Sequence, residues 1–291
     1  MFSRSEIKEI LLAAGLTLNK RRGQVFIINR RVLVEMAEAG LEGWGKEAAV
    51  FEFGGGLGNL TRALAERAGF VFSVEIDAGL HRQAARLLRD LKNVSLVCAD
   101  GIRDGRLRDD LLQVFLQKAK ERKAEHFLFA SNMPYSVSGA VLVSLPMLPP
   151  EFSRAVVMCQ REVAERVEAR PGSKDFGPLS VLLQRCFQIR RIINVPREAF
   201  YPKPEVSSAV MRLDRKPHPD PSELEKIFDK LNRFFAMRRK TLYQNLRKSV
   251  GLSAQQAEDL LDKFGIEHKM RAEEVEAERL WALAEELLES S

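Results

Sequence analysis

A largely parallel α/β sheet with helices on both faces, followed by a small all-helical domain, is the fold class the sequence predicts. From residue 48 to about residue 169, short apolar runs alternate with segments of helical spacing. Strands that are apolar throughout are buried on both faces, and the helices between them act as crossovers. The first run ends in a glycine-rich turn, Gly54-Gly55-Gly56-Leu57-Gly58. The alternation stops by the Pro-rich stretch Arg215-Lys216-Pro217-His218-Pro219-Asp220-Pro221, beyond which every segment reads helical, as a linker and a second domain would.

In chain order, Ser5 followed by apolar residues at helical spacing starts a helix over 5–12. Lys20-Arg21-Arg22-Gly23-Gln24-Val25-Phe26-Ile27-Ile28 is a basic run, a glycine and a short apolar plug, which suits a cover over a pocket mouth or a plain connector. Strands are expected at 49–53, 71–76, 94–99, 127–130 and 155–159, with helices at 59–67, 79–91, 108–123, 139–147, 161–169 and 179–186. Two β-rich pieces, 189–195 and 207–213, have no long helix between them, which predicts an antiparallel edge rather than another crossover unit. The tail divides into helices over 222–235, 240–250, 254–264 and 272–288. The expected domains are therefore 1–215, of which 1–47 is a helical covering segment, and 221–291.

With 45% hydrophobic and 30% charged residues in 291, the chain can bury a full core, and global disorder is excluded. It lacks an apolar signal core after Met1 and any uncharged run long enough to cross a bilayer, so a soluble cytoplasmic protein is expected. Cys98, Cys159 and Cys186 have no Cys-x-x-Cys spacing and read as buried small hydrophobes. The four histidines, at 81, 126, 218 and 268, are scattered; no metal centre is expected, nor chemistry that needs a histidine base. A formal charge of +6 points to a polyanionic partner. Its basic clusters are Lys20, Arg21 and Arg22, then Arg190 and Arg191, then Arg238, Arg239 and Lys240.

The glycine turn has the spacing Gly-x-Gly-x-Gly after Glu52, not the Gly-x-Gly-x-x-Gly of dinucleotide folds, and suits a ligand without a pyrophosphate, such as S-adenosylmethionine. Glu75, at the end of the second strand, can accept hydrogen bonds from both hydroxyls of a ribose. Asp100, at the end of the third, can accept from an adenine amine. Asn132-Met133-Pro134-Tyr135 ends the fourth strand and places a side-chain amide, a rigid turn and an aromatic ring where ligands bind in open α/β sheets.

These motifs resemble the KsgA family of ribosomal RNA adenine N6-dimethyltransferases. The resemblance runs from residues 20–26 through the glycine turn, Glu75-Ile76-Asp77, Asp100 and Asn132–Tyr135. It continues through residues 160–166, Pro171-Gly172-Ser173-Lys174-Asp175-Phe176-Gly177 and Phe200-Tyr201-Pro202-Lys203-Pro204-Glu205-Val206-Ser207-Ser208 to Arg238-Arg239-Lys240. It implies a Rossmann-like, seven-stranded methyltransferase sheet with a small helical C-terminal domain that binds RNA. The donor would be S-adenosylmethionine, and the substrate two adjacent adenosines near the 3′ end of small-subunit ribosomal RNA. By the same resemblance Gln24, Val25, Ile27, Gly54, Gly56, Gly58, Glu75, Ile76, Asp100 and Asn132 line the cofactor site. Asn132, Met133, Pro134, Tyr135 and Phe200 handle the adenine, and the enzyme works as a monomer on the small ribosomal subunit. Three positions depart from the family pattern: Val25 for Asn, Gly55 for Pro and Met133 for Leu.

An adenine N6 lone pair is delocalised into the ring. The Asn132 side-chain oxygen and the Met133 carbonyl are expected to accept the two amine hydrogens and aim that lone pair at the methyl group, with Tyr135 and Phe200 against the base. Three alternatives use overlapping motifs: a large-subunit RNA methyltransferase, a DNA adenine methyltransferase and a non-catalytic nucleic-acid-binding relative. The stretch from Pro171 to Gly177 argues against the first, the short tail against the second, and the retained Glu75, Asp100, Asn132 and Tyr135 against the third.

Overall fold

The computed structural model describes residues 2–18 and 23–289; the basic run Lys20, Arg21 and Arg22 lies outside them. Helix α1 (Arg4–Ala13) opens the chain. Its N-cap is Ser3 rather than Ser5, because Ser3 and Glu6 close a reciprocal capping box. A two-residue strand β1 (Phe26–Ile27) and helix α2 (Arg30–Leu41) lead into the alternating region. That region runs β2 (Ala48–Phe53), α3 (Asn59–Ala65), β3 (Phe70–Glu75), α4 (Ala78–Leu87) and β4 (Val94–Cys98). A small hairpin, β5 (Ile102–Arg103) with β6 (Arg106–Leu107), precedes α5 (Asp109–Glu121), β7 (His126–Asn132), α6 (Ser138–Ser144), β8 (Phe152–Gln160) and α7 (Arg161–Val167). Then follow α8 (Pro178–Cys186), β9 (Phe187–Val195), β10 (Phe200–Tyr201) and β11 (Ser208–Arg215).

Seven strands form one sheet in the order β4-β3-β2-β7-β8-β11-β9. The strands from β4 to β8 are parallel, whereas β11 runs antiparallel to β8 and β9 lies beyond it at the edge of the sheet. All six residues of β2 and of β3 are buried, which accounts for their continuous apolar pattern. On one face α2 and α3 bury Leu33, Met36, Leu60 and Leu64 against Val50, Leu128 and Val156. On the other, Phe115 of α5 packs edge-on to Phe51 at 5.7 Å and tilted against Phe152 at 5.4 Å. Successive strands build outward from β2 through β3 to β4, and the chain then returns to the other side of β2 with β7. The strand order therefore reverses between β2 and β7, and the crevice beyond their carboxyl ends is where such sheets bind ligands.

Two compact units emerge, one of residues 1–145, 149–164 and 190–214, the other of 146–148, 165–189 and 215–291. The second unit takes in 165–189, a stretch that the linker at 215–221 would leave with the first domain. Its tail helices are α9 (Pro221–Phe234), α10 (Leu242–Asn245), α11 (Ala254–Lys263) and α12 (Ala277–Glu289). α12 packs on both α8 and α9, with Trp281 buried and the Arg185 guanidinium 5.4 Å above its ring. This contact explains the grouping: α8 supplies an apolar face that the tail covers. Asp220 caps α9 and Pro221 takes its first turn, where a missing N–H costs nothing. Cys159 and Cys186 are buried as expected, but Cys98 is exposed, standing at the end of β4, the edge strand of the sheet.

Candidate active site

A cavity of about 200 Å³ opens at the carboxyl ends of β2, β3, β4 and β7. Its floor is the glycine turn. Gly54 and Gly56 adopt φ of +77° and +57°, a region that side chains resist. A Cβ at Gly56 would stand 3.0 Å from Phe26 Cε1, so the turn is a cradle kept open by the lack of a side chain. At Gly55, where the family has Pro, the space is taken: a Cβ there would meet Ser73 Oγ at 2.2 Å.

Glu75 is 9% exposed, and its carboxylate accepts from the Gly56 amide at 2.8 Å and from the Asp77 amide at 2.8 Å. Those bonds fix the carboxylate at the cavity wall. Asp100 Oδ1 accepts from the Ile102 amide at 3.0 Å, which holds that carboxylate at the rim. Ile76 is 45% exposed and lines the cavity with Ile102, offering apolar surface to a planar base. Behind the turn, Glu52 is 1% exposed and accepts from Thr61 Oγ1 at 2.6 Å. Burial pushes its carboxyl up to about 7.

The segment 23–29 roofs the cavity. Gly23, at φ +62°, lies so close to the chain that a Cβ would stand 2.9 Å from the Tyr135 amide nitrogen. β1 pairs antiparallel with β10, Ile27 opposite Phe200. Gln24 Nε2 donates to Asp77 Oδ2 at 3.3 Å. Val25 meets the site through its backbone: its carbonyl accepts from Asn132 Nδ2 at 3.0 Å, a contact independent of the side chain at position 25.

That bond decides how Asn132 presents itself. With Nδ2 committed to a carbonyl, Oδ1 is left buried without a hydrogen-bond partner among the described residues. A buried acceptor with nothing to accept costs about 1–3 kcal/mol unless a ligand satisfies it. Asn132 is braced further, since Ser131 Oγ donates to the Phe53 carbonyl at 2.8 Å and the Met133 amide to the Met158 carbonyl at 3.1 Å.

Gln24, Val25, Ile27, Gly54, Gly56, Glu75, Ile76, Asp100, Asn132 and Pro134 thus converge on one cavity. Gly58 instead caps α3 with φ +88° and approaches Leu88. Met133 is fully buried. Tyr135 is half-buried and shares a hydrogen bond with Ser208 Oγ at 3.0 Å; the cavity wall beside it is made by Pro134, Ser136 and Val137. Phe200 does not join the cavity wall. It is 3% exposed and sits in the core with Ile27 and Val32, because β10 pairs with β1 and turns that ring inward. Arg238, Arg239 and Lys240 are exposed after α9 in the second unit, and Arg238 donates to the Lys174 carbonyl at 2.6 Å. The sequence reading passed over Ile102 and Asn59, which both line the cavity; Asn59 directly follows Gly58, a signal that was available. The described residues able to share a metal ion are Glu47, Glu125 and His126, with ligand atoms within 4.8 Å of one another. His126 begins β7 and Asn132 ends it, so that trio stands at the opposite end of the strand from the cavity.

A reversed strand order beside a glycine cradle, with acids closing the next two strands, defines an S-adenosylmethionine-dependent methyltransferase. The fold is that of a dimethyladenosine transferase from Plasmodium falciparum (TM-score 0.72, 20% identity, 91% of this chain and 98% of that one). It is also that of the 23S rRNA methyltransferase ErmE (TM-score 0.63, 25% identity, 91% and 99%). The model of the family Ribosomal RNA adenine dimethylase matches residues 15–289, and the chain belongs to that family. The Ribosomal RNA small subunit methyltransferase A of Geobacillus thermodenitrificans is 33% identical over 287 residues, covering 97% of this chain and 94% of that protein. Its counterpart in Clostridium botulinum is 33% identical over 280 residues, covering 96% and 97%.

Proposed function

We propose that this enzyme dimethylates N6 of two adjacent adenosines near the 3′ end of small-subunit ribosomal RNA, acting as a cytoplasmic monomer on the small ribosomal subunit. The observation that carries the reading is the buried Oδ1 of Asn132, without a partner among the described residues, in the wall of the cofactor cavity. An exocyclic amine has two hydrogens to give. Asn132 Oδ1 accepts one and the Met133 carbonyl the other, which draws the nitrogen toward tetrahedral geometry and frees its lone pair. Bound S-adenosylmethionine supplies an electrophilic methyl group. Around it, Glu75 would hold the ribose and Asp100 the adenine amine, and the 23–29 strap would exclude water. Proton loss follows methylation of an already acidified nitrogen, so no histidine base is required. Tyr135 backs the extruded base.

The substrate assignment draws on the curated relatives, whose names specify the small subunit and which match over nearly the full chain. The likeness to ErmE, named for 23S rRNA, supports the large-subunit reading as the alternative. Incubation with labelled S-adenosylmethionine and, separately, unmethylated small subunits, naked small-subunit RNA and large subunits distinguishes them. Label confined to dimethyladenosine of small-subunit RNA is the expected result, and label in large-subunit RNA would overturn it.

We further assign RNA phosphates to Arg238, Arg239 and Lys240, in the exposed basic segment after α9. Changing all three to Gln should flatten the slope of log K against log salt by about 2, at roughly 0.7–0.9 per phosphate contact. An unchanged slope removes that assignment.

A further inference from the structure

We infer that Asn59 is a positioning residue for the methyl donor, clamping the 23–29 strap and helix α1 onto the glycine turn. The inference rests on the cofactor site described above. Asn59 is the first residue of α3, directly after the cradle, and is 7% exposed. Although it lines the cavity, its amide is turned to backbone. Oδ1 accepts from the Phe2 amide at 2.6 Å, while Nδ2 donates to the Ile27 carbonyl at 2.8 Å and the Phe2 carbonyl at 3.2 Å. Both Nδ2 hydrogens are engaged and Oδ1 is already accepting. One side chain therefore joins the turn, the roof of the cavity and the segment leading into α1.

The apolar packing follows the same path. Ile7 and Leu11 of α1 share a buried cluster with Phe26 of the strap, Leu57 of the turn and Leu80. Phe26 in turn stands against Gly56. Arg4 and Lys8 of α1 lie 5.7 and 5.8 Å from the ring centroid of Tyr201, the strand partner of Phe26. α1 thus packs against the strap through Phe26. Its residues precede the stretch matched by the family model, which begins at residue 15. Val25, whose carbonyl orients Asn132, is two residues from the Ile27 carbonyl that Asn59 holds. Loosening Asn59 frees the roof over the donor and the acceptor that steers Asn132 together.

The full-length protein is titrated calorimetrically with S-adenosylmethionine, with amide exchange of residues 23–29 and urea midpoints measured on the same samples. Asn59→Ala should bind the donor about tenfold more weakly, the loss of a net hydrogen bond or two. It should also raise exchange at the strap and leave exchange in β2 and β7 unaltered. Asn59→Asp keeps the acceptor for Phe2 but cannot donate to Ile27, so it should bind no better than Asn59→Ala. Ile7→Ala, which loosens α1 without touching the amide, should weaken binding in the same direction, and its effect should be less than additive with Asn59→Ala. Donor affinities within twofold of wild type for both Asn59 variants would overturn the inference. So would weakened binding with strap exchange unchanged. Failure of the wild-type protein to bind S-adenosylmethionine would instead remove the cofactor site itself.

Discussion

Asn132→Ala should lower methyl transfer by two to three orders of magnitude while the enzyme still binds S-adenosylmethionine within a few-fold of wild type. The expected size is that of removing one oriented acceptor from a preorganised site, about 2.7–4 kcal/mol of barrier. Loss of rate without loss of donor affinity follows from the geometry. Asn132 lines the cavity and its Oδ1 has no partner among the described residues, whereas the donor's ribose is assigned to Glu75 on another strand. Asn132→Asp separates two roles of the amide. It preserves an acceptor for the amine but sets a carboxylate against the Val25 carbonyl, where Nδ2 now donates at 3.0 Å. Its rate should therefore fall well below wild type, and exchange at the strap should rise. Single-turnover rates with donor and RNA both saturating make the measurement. Wild-type turnover by Asn132→Ala would sink the mechanism.

Glu52→Gln should stabilise the protein above neutral pH, and the gain should vanish toward pH 4.5. Burial raises the folded-state carboxyl to about 7 from an ordinary 4.5, with Thr61 and Ser73 as its polar neighbours and Glu75 as the charge that opposes ionisation. The folded protein thus holds a proton at Glu52 that the unfolded chain has released. Stability associated with this group is fully present below pH 4.5 and is lost as the pH rises through 7. At about 1.4 kcal/mol per pH unit the difference is roughly 3 kcal/mol. Gln keeps a neutral group of the same shape, able to accept from Thr61. Urea midpoints at pH 5 and pH 8 for both proteins test this. Wild-type and Glu52→Gln curves that stay parallel between those values would refute it.

Much of the fold was legible because its signals are local. Continuous apolar runs such as Ala48–Phe53 follow from burial on both faces, which any parallel sheet imposes on its inner strands. Asp220 followed by Pro221 marks a helix start by backbone chemistry alone. The glycine turn is legible for the same reason, since Gly54 and Gly56 need φ values that side chains resist. Glu75, Asp100 and Asn132 could be placed on the site because each follows an apolar run, and strand ends on one edge of a parallel sheet must lie together.

What was not legible depends on which way a side chain turns once distant segments meet. Phe200, followed by Tyr201 and Pro202, is expected from sequence to lie against the base. Pairing of β10 with β1 sends Phe200 into the core. The grouping of 165–189 with the tail depends on α12 finding α8 across some hundred positions, and no local composition shift marks such a contact. Nor does sequence show that position 25, where the family pattern has Asn, meets Asn132 through its carbonyl, which every residue possesses.

Local sequence thus sufficed for the strand and helix alternation, the cradle, the acids at the strand ends and the amide that closes β7. These are set by backbone conformation and by the two-sided burial of each strand. Three features needed the folded chain: Asn132 commits its nitrogen to Val25 and leaves its buried oxygen without a partner among the described residues, Asn59 ties the roof to the floor, and Phe200 belongs to the core. Each of those depends on a hydrogen bond or packing contact between segments remote in sequence, whose energy exists only once the sheet has brought them together.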